Sequence, residues 1–364
     1  MRIGIEASAA SNSAGSGVLT RHLIQELSRL GHTVIPLTAG PRPGSARQPS
    51  FLKRILSGLR QIGWMQVSLL RIANKEGIDL LVCPAQMGPV RSSKPVILLL
   101  YDLSFLLQPE TADRLFGLYL RRLVPRLIKR AKRIVVISEA TLTDLASAFP
   151  EAMTRAVVAL PGPGEAETML SETRRVRSTP RPQRYVLMVG TLEPRKNHVR
   201  ALEAFRLFRN DTGQQWRMLI VGSPGWSYEP ILSGARDIGL REAVTFVGHV
   251  SLAELGALYQ QAGALFFPSL KEGFGLPILE AMALGCPVIT SNCSAMAEVA
   301  DGAAQLVDPL DVRSMADGLH AVLTDQGRRS KLISLGKCRA KQFSWQSFGK
   351  AVESSIFAAA ARVP

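Results

Sequence analysis

The sequence predicts an α/β chain built as two doubly wound, parallel-sheet halves. Three observations carry that expectation. Short apolar runs of strand length alternate with helix-length patterns, which argues for parallel strands joined by crossover helices. At 364 residues the chain is too long for one small core. A stretch poor in apolar anchors and rich in arginine and proline divides the alternation into two series.

In the first series "RIGIEA" reads as a strand and Val18 to Leu30 as a helix, followed by the strands "HTVIPL", "IDLLVCP", "KPVILLLYD", "RIVVISE" and "AVVALPG". The segment "EAETMLSETRRVRSTPRPQR" suits an exposed linker. The strands "RYVLMVGT", "WRMLIVGS", "AVTFVGH", "ALFFPSL" and "CPVITS" then alternate with helices over Val199 to Phe208, Ser251 to Gln261 and Leu276 to Leu284. Near the end, Phe343, Trp345, Phe348, Val352 and Ile356 are spaced for one face of a closing helix. The expected organisation is a first domain over 1–164, a linker over 165–184, a second domain over 185–342, and a terminal helix within 343–364 that packs back on the first domain. In open sheets of this kind ligands sit beyond the carboxyl ends of the strands, so a cleft between the halves is the expected site.

With 46% hydrophobic and 20% charged residues the chain has apolar material for two cores. Its formal charge of +15 favours anionic partners: nucleotides, phosphorylated lipids, acidic membrane surfaces or nucleic acid. Cys83, Cys286, Cys293 and Cys338 form no C-x-x-C pair and read as free thiols. "MRIGIEASAA" lacks the long apolar core of a signal peptide, and "PVILLLYDLSFLL" is broken by Asp102 and too short to span a bilayer. The expectation is a cytoplasmic protein.

The strand ends of the second half hold the chemistry. After "YVLMVG" comes "TLEPRKNH", which sets Gly190, Thr191, Arg195 and Lys196 where a small residue and two cations can meet a ligand. Arginine grips phosphate oxygens in pairs and lysine supplies a compact charge. Together they suit a diphosphate and offset charge growing on a departing nucleotide. The dipeptide also fits a solvated turn. In "SLKEGFGLPILEAMALGCPVI", Glu272 follows a strand, Gly273 and Gly275 let backbone approach a ligand, and the helix starting near Leu276 presents unpaired amides. Glu272 suits sugar hydroxyls, and Glu280, more than a turn into the helix, suits the two hydroxyls of a ribose. A dipole-stabilised carboxylate and a solvated helix position are the plain alternatives. The apolar neighbours of Glu280 argue for a ligand, because an unpaired carboxylate among them is costly.

In the first half "SNSAGSGVLTRHLIQEL" places Gly15, Ser16 and Gly17 between a strand and a helix, where amides can approach phosphate or sugar. Thr20 stands where the dinucleotide fingerprint needs glycine, and no Walker P-loop occurs, which argues against a nicotinamide-dependent dehydrogenase. "VILLLYDLSF" ends a strand with Tyr101 and Asp102, which fit either a site near the reacting sugar or a strand-end turn. No D-x-D pair is present to hold a metal against a diphosphate, so neither metal nor cofactor is expected.

"GTLEPRKN", "YDLSFLLQPE" and residues 247–309, which include "EGFGLPILE", resemble the retaining glycosyltransferases of family 4, the group 1 glycosyltransferases. The likeness covers nearly the whole chain. It implies the GT-B fold, two Rossmann-like domains facing across a cleft. It further implies that Arg195 and Lys196 bind the donor diphosphate, Glu272 the donor sugar and Glu280 the nucleotide ribose. Amides of Phe274, Gly275 and Leu276 would complete the donor site, with the Gly15–Gly17 loop facing the donor phosphates. Many relatives carry histidine where Tyr101 stands.

No residue qualifies as the carboxylate nucleophile of a glycosidase-like retaining mechanism. The implied chemistry is front-face attack on an oxocarbenium-like sugar, with the departing diphosphate taking the acceptor's proton. "YDLSFLLQPE" resembles the mannosyltransferase branch, which implies GDP-mannose as donor and a lipid-linked or polysaccharide acceptor in bacterial cell-surface glycan synthesis. A sugar-nucleotide epimerase or hydrolase is the alternative within this architecture. A basic nucleic-acid-binding protein is disfavoured: aromatics for base stacking are sparse and the two glutamates would have no role.

Two basic segments bear on partners. "RRLVPRLIKRAKR" sets Arg121, Arg122, Arg126, Lys129, Arg130, Lys132 and Arg133 among leucines, and "FLKRILSGLRQIGWMQVSLLR" adds Lys53, Arg54, Arg60 and Arg71. Each fits a helix lying on an anionic bilayer, at the inner face of the plasma membrane, or a core helix with a solvated face.

Overall fold

A computed structural model describes residues 1–39, 58–111, 113–173, 184–237 and 239–361. The chain forms two compact units: Met1–Leu106 with Leu115–Pro161 and Trp345–Pro364, and Leu107–Arg114 with Gly162–Ser344.

The first unit runs β1 (Arg2–Glu6), α1 (Gly15–Arg29), β2 (Thr33–Leu37), α2 (Leu69–Lys75), β3 (Leu80–Cys83), β4 (Val96–Leu100), α3 (Arg114–Arg130), β5 (Arg133–Val136), α4 (Glu139–Ala148) and β6 (Ala156–Val158). Its sheet has the order β2-β1-β3-β4-β5-β6, with every neighbouring pair parallel. β3 and β4 are buried at every position. That burial accounts for the unbroken runs "LLVC" and "VILLL", since a parallel strand covered on both faces shows no polar side. Leu98 and Val136 pack with Trp64, Leu69, Leu123 and Leu127 in one core.

The second unit runs α5 (Ala166–Thr173), β7 (Tyr185–Val189), α6 (His198–Thr212), β8 (Arg217–Val221), α7 (Glu229–Asp237), β9 (Val244–Gly248), α8 (Leu252–Gln261), β10 (Ala264–Phe267), α9 (Leu276–Ala283), β11 (Val288–Ser291), α10 (Ser294–Ala300), β12 (Gln305–Val307), α11 (Val312–Leu323) and α12 (Gln326–Ala340). Its order is β12-β11-β10-β7-β8-β9, again all parallel. Phe205, Phe208, Trp216, Phe266 and Leu319 form its core. The winding reverses between β7 and β10. At such a point the loops beyond the two strands diverge to opposite faces of the sheet and leave a crevice.

The final helix, α13 (Trp345–Ala360), belongs to the first unit and packs on α1. Phe348, Val352 and Ile356 are fully buried there, and Trp345 stacks on His22 with ring centroids 4.1 Å apart. Phe343 does not share that face. It stays in the second unit with its ring edge-on to Phe274 at 5.8 Å.

Two further expectations change. The segment read as an exposed linker begins with α5, which packs on α8 because Gly256 leaves room for Met169 and Thr173. Residues 174–183 lie outside the described residues. The second change concerns the basic helix α3. Leu120, Leu123, Val124, Leu127 and Ile128 face the core, so most of its apolar surface is already covered, while Leu115, Phe116 and Leu118 stay exposed in its first turns. In the other basic segment Leu59 and Ile62 are exposed and Trp64 is buried, and Lys53 and Arg54 lie outside the described residues. Among the described residues no helix is long and apolar enough to cross a membrane.

Candidate active site

The loops after β7 and β10 interlock at the switch point of the second sheet. Leu270 N donates to Arg195 O at 2.9 Å. Asn197, in left-handed backbone, donates from Nδ2 to Pro268 O and Pro309 O, which ties the β7 loop to the loops after β10 and β12. Gly190 has φ +147, and a Cβ there would press on the Lys196 stem at 3.1 Å. Thr191 is half-buried with its methyl against Gly225.

This scaffold gathers four charges. Arg195 Nη1 donates to Glu272 Oε2 at 2.6 Å and to Lys271 O at 2.8 Å, while Nη2 donates to Glu193 Oε1 at 2.6 Å. Lys196 Nζ donates to Glu272 Oε1 at 2.6 Å and lies 4.7 Å from the centre of the Phe267 ring. Arg195 and Lys196 are therefore not a solvated turn. Their side chains are 18% and 13% exposed. Burial opposes ionisation of Glu272, but the charges of Arg195 and Lys196 outweigh it and hold the carboxyl down at about 2. Burial pushes Glu193 up, and the Glu272 charge adds to the push against its pairing with Arg195. His198, beneath the loop, is lowered to about 4 by burial and by Lys196, so it is neutral.

Glu280 forms a second group on α9. It is 6% exposed, with Oε2 accepting from the Tyr259 hydroxyl at 3.0 Å and Oε1 from Glu165 N at 3.3 Å. Burial raises its carboxyl to about 7 against the two hydrogen bonds that favour ionisation. Gly164, at φ +56, lies directly against it: a Cβ there would stand 2.1 Å from Oε1. The helix starts at Gly275, whose φ of +112 suits glycine, and Phe274 and Leu276 bury their side chains beside it. Their amides fall at the helix start, where the helix itself supplies no partner.

The candidates of the first unit have structural duties as well. Gly17 N donates to Ala14 O, so that amide is not an open donor, and a Cβ on Gly17 would stand 1.9 Å from Asn12 O. Gly15 and Ser16 open α1 beside it; Gly15 is exposed and Ser16 half-buried. Asp102 Oδ1 accepts from Ser104 N and Ser104 Oγ, capping the short helix Ser104–Leu107. Tyr101 is buried, its hydroxyl beside Thr20 and the Ala85 backbone, and burial pushes its ionisation up. Asp102 thus orders the strand end, while the buried Tyr101 hydroxyl has no hydrogen-bond partner among the described residues.

Glu193, Asn197, Gly164 and Tyr259 were not legible as site residues. Glu193 alone had a local signal, two places before Arg195. Among the described residues no group of three or more His, Cys, Asp or Glu is placed to share a metal ion.

Residues 13–163 match the family model described as Glycosyltransferase Family 4, and residues 171–339 match Glycosyl transferases group 1. The chain belongs to this glycosyltransferase family. Its fold is GT-B: a sucrose-phosphate synthase from Thermosynechococcus elongatus superposes with a TM-score of 0.75 at 19% identity, over 99% of this chain and 100% of that one. An Escherichia coli O-antigen chain mannosyltransferase B is 37% identical over 45% of the family 4 chain and 43% of its own length. Salmonella typhimurium O-antigen chain mannosyltransferase RfbU is 27% identical over 71% of this chain and 70% of its own length. The chain spans about half the length of the first curated relatives it matches.

Proposed function

We propose that this chain is a retaining glycosyltransferase that moves mannose from GDP-mannose onto a lipid-linked or polysaccharide acceptor in cell-surface glycan synthesis. The observation that carries the reading is the Arg195–Glu272–Lys196 cluster at the β7/β10 switch point. The names of the E. coli and Salmonella relatives support the sugar and the acceptor class.

Arg195 and Lys196 are balanced by Glu193 and Glu272. An arriving diphosphate adds negative charge to this balanced cluster, and the two cations meet it by exchanging Glu272 for phosphate oxygens. That exchange frees the Glu272 carboxylate to accept hydrogen bonds from the donor sugar. As the sugar–phosphate bond breaks, the guanidinium and ammonium offset the charge growing on the diphosphate without reorganising. The acceptor hydroxyl attacks from the face the diphosphate leaves, and a phosphate oxygen takes its proton. In this reading two fixed cations perform the charge stabilisation and no metal is required.

The protein is tested by thermal shift and turnover with GDP-mannose, UDP-glucose, UDP-N-acetylglucosamine and their nucleotides. Transfer to acceptor from GDP-mannose supports the reading, whereas release of free sugar or interconversion of the donor makes it a hydrolase or epimerase. Exposed Leu115, Phe116 and Leu118, with exposed Arg121 and Arg122 following them, support peripheral contact with an anionic membrane. Equal cosedimentation with neutral and anionic vesicles removes the electrostatic part of that contact.

A further inference from the structure

A carboxylate offers roughly four acceptor positions, two on each oxygen. In Glu280 the protein fills one on each: the Glu165 amide on Oε1 and the Tyr259 hydroxyl on Oε2. Among the described residues no other donor reaches the carboxylate, so one position per oxygen remains, which is the number a vicinal diol needs. Tyr259 is fully buried on α8, and burial with the neighbouring Glu280 charge pushes its ionisation far up, so it stays a hydroxyl donor. Gly164 permits the close backbone approach that brings the Glu165 amide into reach.

We propose that Tyr259, with the Gly164–Glu165 backbone, is a positioning residue that favours the carboxylate form of Glu280 and orients it as the acceptor of the nucleotide's ribose hydroxyls. This rests on the reading of Glu280 as the ribose contact. Protonated Glu280 gives up an acceptor position and presents a proton to the diol. Nucleotide affinity therefore rises with pH as Glu280 ionises, around 7, and loss of the Tyr259 hydroxyl moves that rise upward. The charge acting on Glu280 from nearby is that of Glu165. Cys286, after α9, is pushed up to about 12 by burial and is neutral. The elements packed on α9 also carry Lys337, whose stem passes Gly285, Glu298 on α10, and Glu254, which caps α8.

The test measures GDP and UDP affinity calorimetrically across the neutral range for wild type, Tyr259→Phe, Glu280→Gln and the double variant, with the 2′,3′-dideoxy nucleotides as controls. The Glu280→Gln protein retains the phosphate's own titration and serves as the baseline. Tyr259→Phe is expected to weaken ribonucleotide binding near neutrality about tenfold, as for loss of a hydrogen bond to a charged group, and to change it less than about twofold in the Glu280→Gln background. Equal losses in both backgrounds overturn the positioning role.

If Glu280→Gln leaves the preference for ribonucleotides over dideoxynucleotides intact, the ribose reading itself fails. In the ligand-free protein, the protonated-carboxyl infrared band that Glu280→Gln removes must persist to higher pH in Tyr259→Phe, and an unmoved band overturns the proposal. Should Tyr259→Phe not fold, Gly164→Ala pushes on the same carboxylate. The same upward shift is then expected, and an unchanged titration overturns the proposal.

Discussion

Replacing Glu280 with glutamine separates the cost of this carboxylate to folding from its use in binding. The side chain is almost wholly buried on α9, and its carboxyl ionises at about 7 in the folded protein against 4.5 when unperturbed. Below about pH 4.5 both folded and unfolded chains hold the proton, and the raised value costs nothing. As pH rises, the unfolded chain ionises first. Once pH exceeds about 7 the native state is disfavoured by about 3 kcal/mol. Glutamine removes that titration and, like the protonated carboxyl, presents one carbonyl oxygen and one donor group to the Glu165 amide and the Tyr259 hydroxyl.

The variant is thus expected to match wild type within about 1 kcal/mol in mild acid and to be about 3 kcal/mol more stable in mild alkali. Urea unfolding at the two pH values, without nucleotide, measures both differences. A stability difference of the same sign and size at both would show that Glu280 does not ionise against burial, and the account of this site would fall. The stabilised variant is also expected to bind nucleotide less well, the usual cost of removing a strained functional group.

Arg195→Ala breaks the contacts to Glu193, Glu272 and the Lys271 carbonyl together, and turnover is expected to fall about 100- to 1000-fold; steady-state rates that match wild type refute the role. Transfer is expected to proceed in excess chelator, and activity abolished by chelation and restored by magnesium contradicts stabilisation by the two cations alone. Thiol labelling of the native protein is expected to reach exposed Cys338 first and half-buried Cys293 next. Cys83 and Cys286, buried with their ionisation pushed up, should react only on unfolding, and four equal rates refute that order.

Much of this protein follows from local pattern. Strand runs such as "VILLL" and "YVLMV" announce themselves because a buried parallel strand must be apolar throughout, and the crossover helices follow from their periodicity. The glycines around Glu272 and the pair Arg195–Lys196 were equally legible, since strand ends in such sheets are where ligands go. α5 was missed because it packs with one methionine and a threonine against a glycine far along the chain, which leaves almost no apolar signal in its own sequence.

Only the tertiary structure decided the state of the charges. Glu272 lies 77 residues from Arg195, and Glu280 lies 21 from Tyr259 and 115 from Glu165, so no window of sequence contains the contact that sets either pKa. Coulomb energies and desolvation depend on distance and burial, which the order of residues does not specify. The same holds for Asp102, whose carboxylate caps a short helix, and for Gly17, whose missing side chain makes room for a carbonyl. Residue identity chose which groups were present and at which strand ends; the fold chose which of them met, and so made one glutamate a strong anion and the other a carboxyl poised near neutrality.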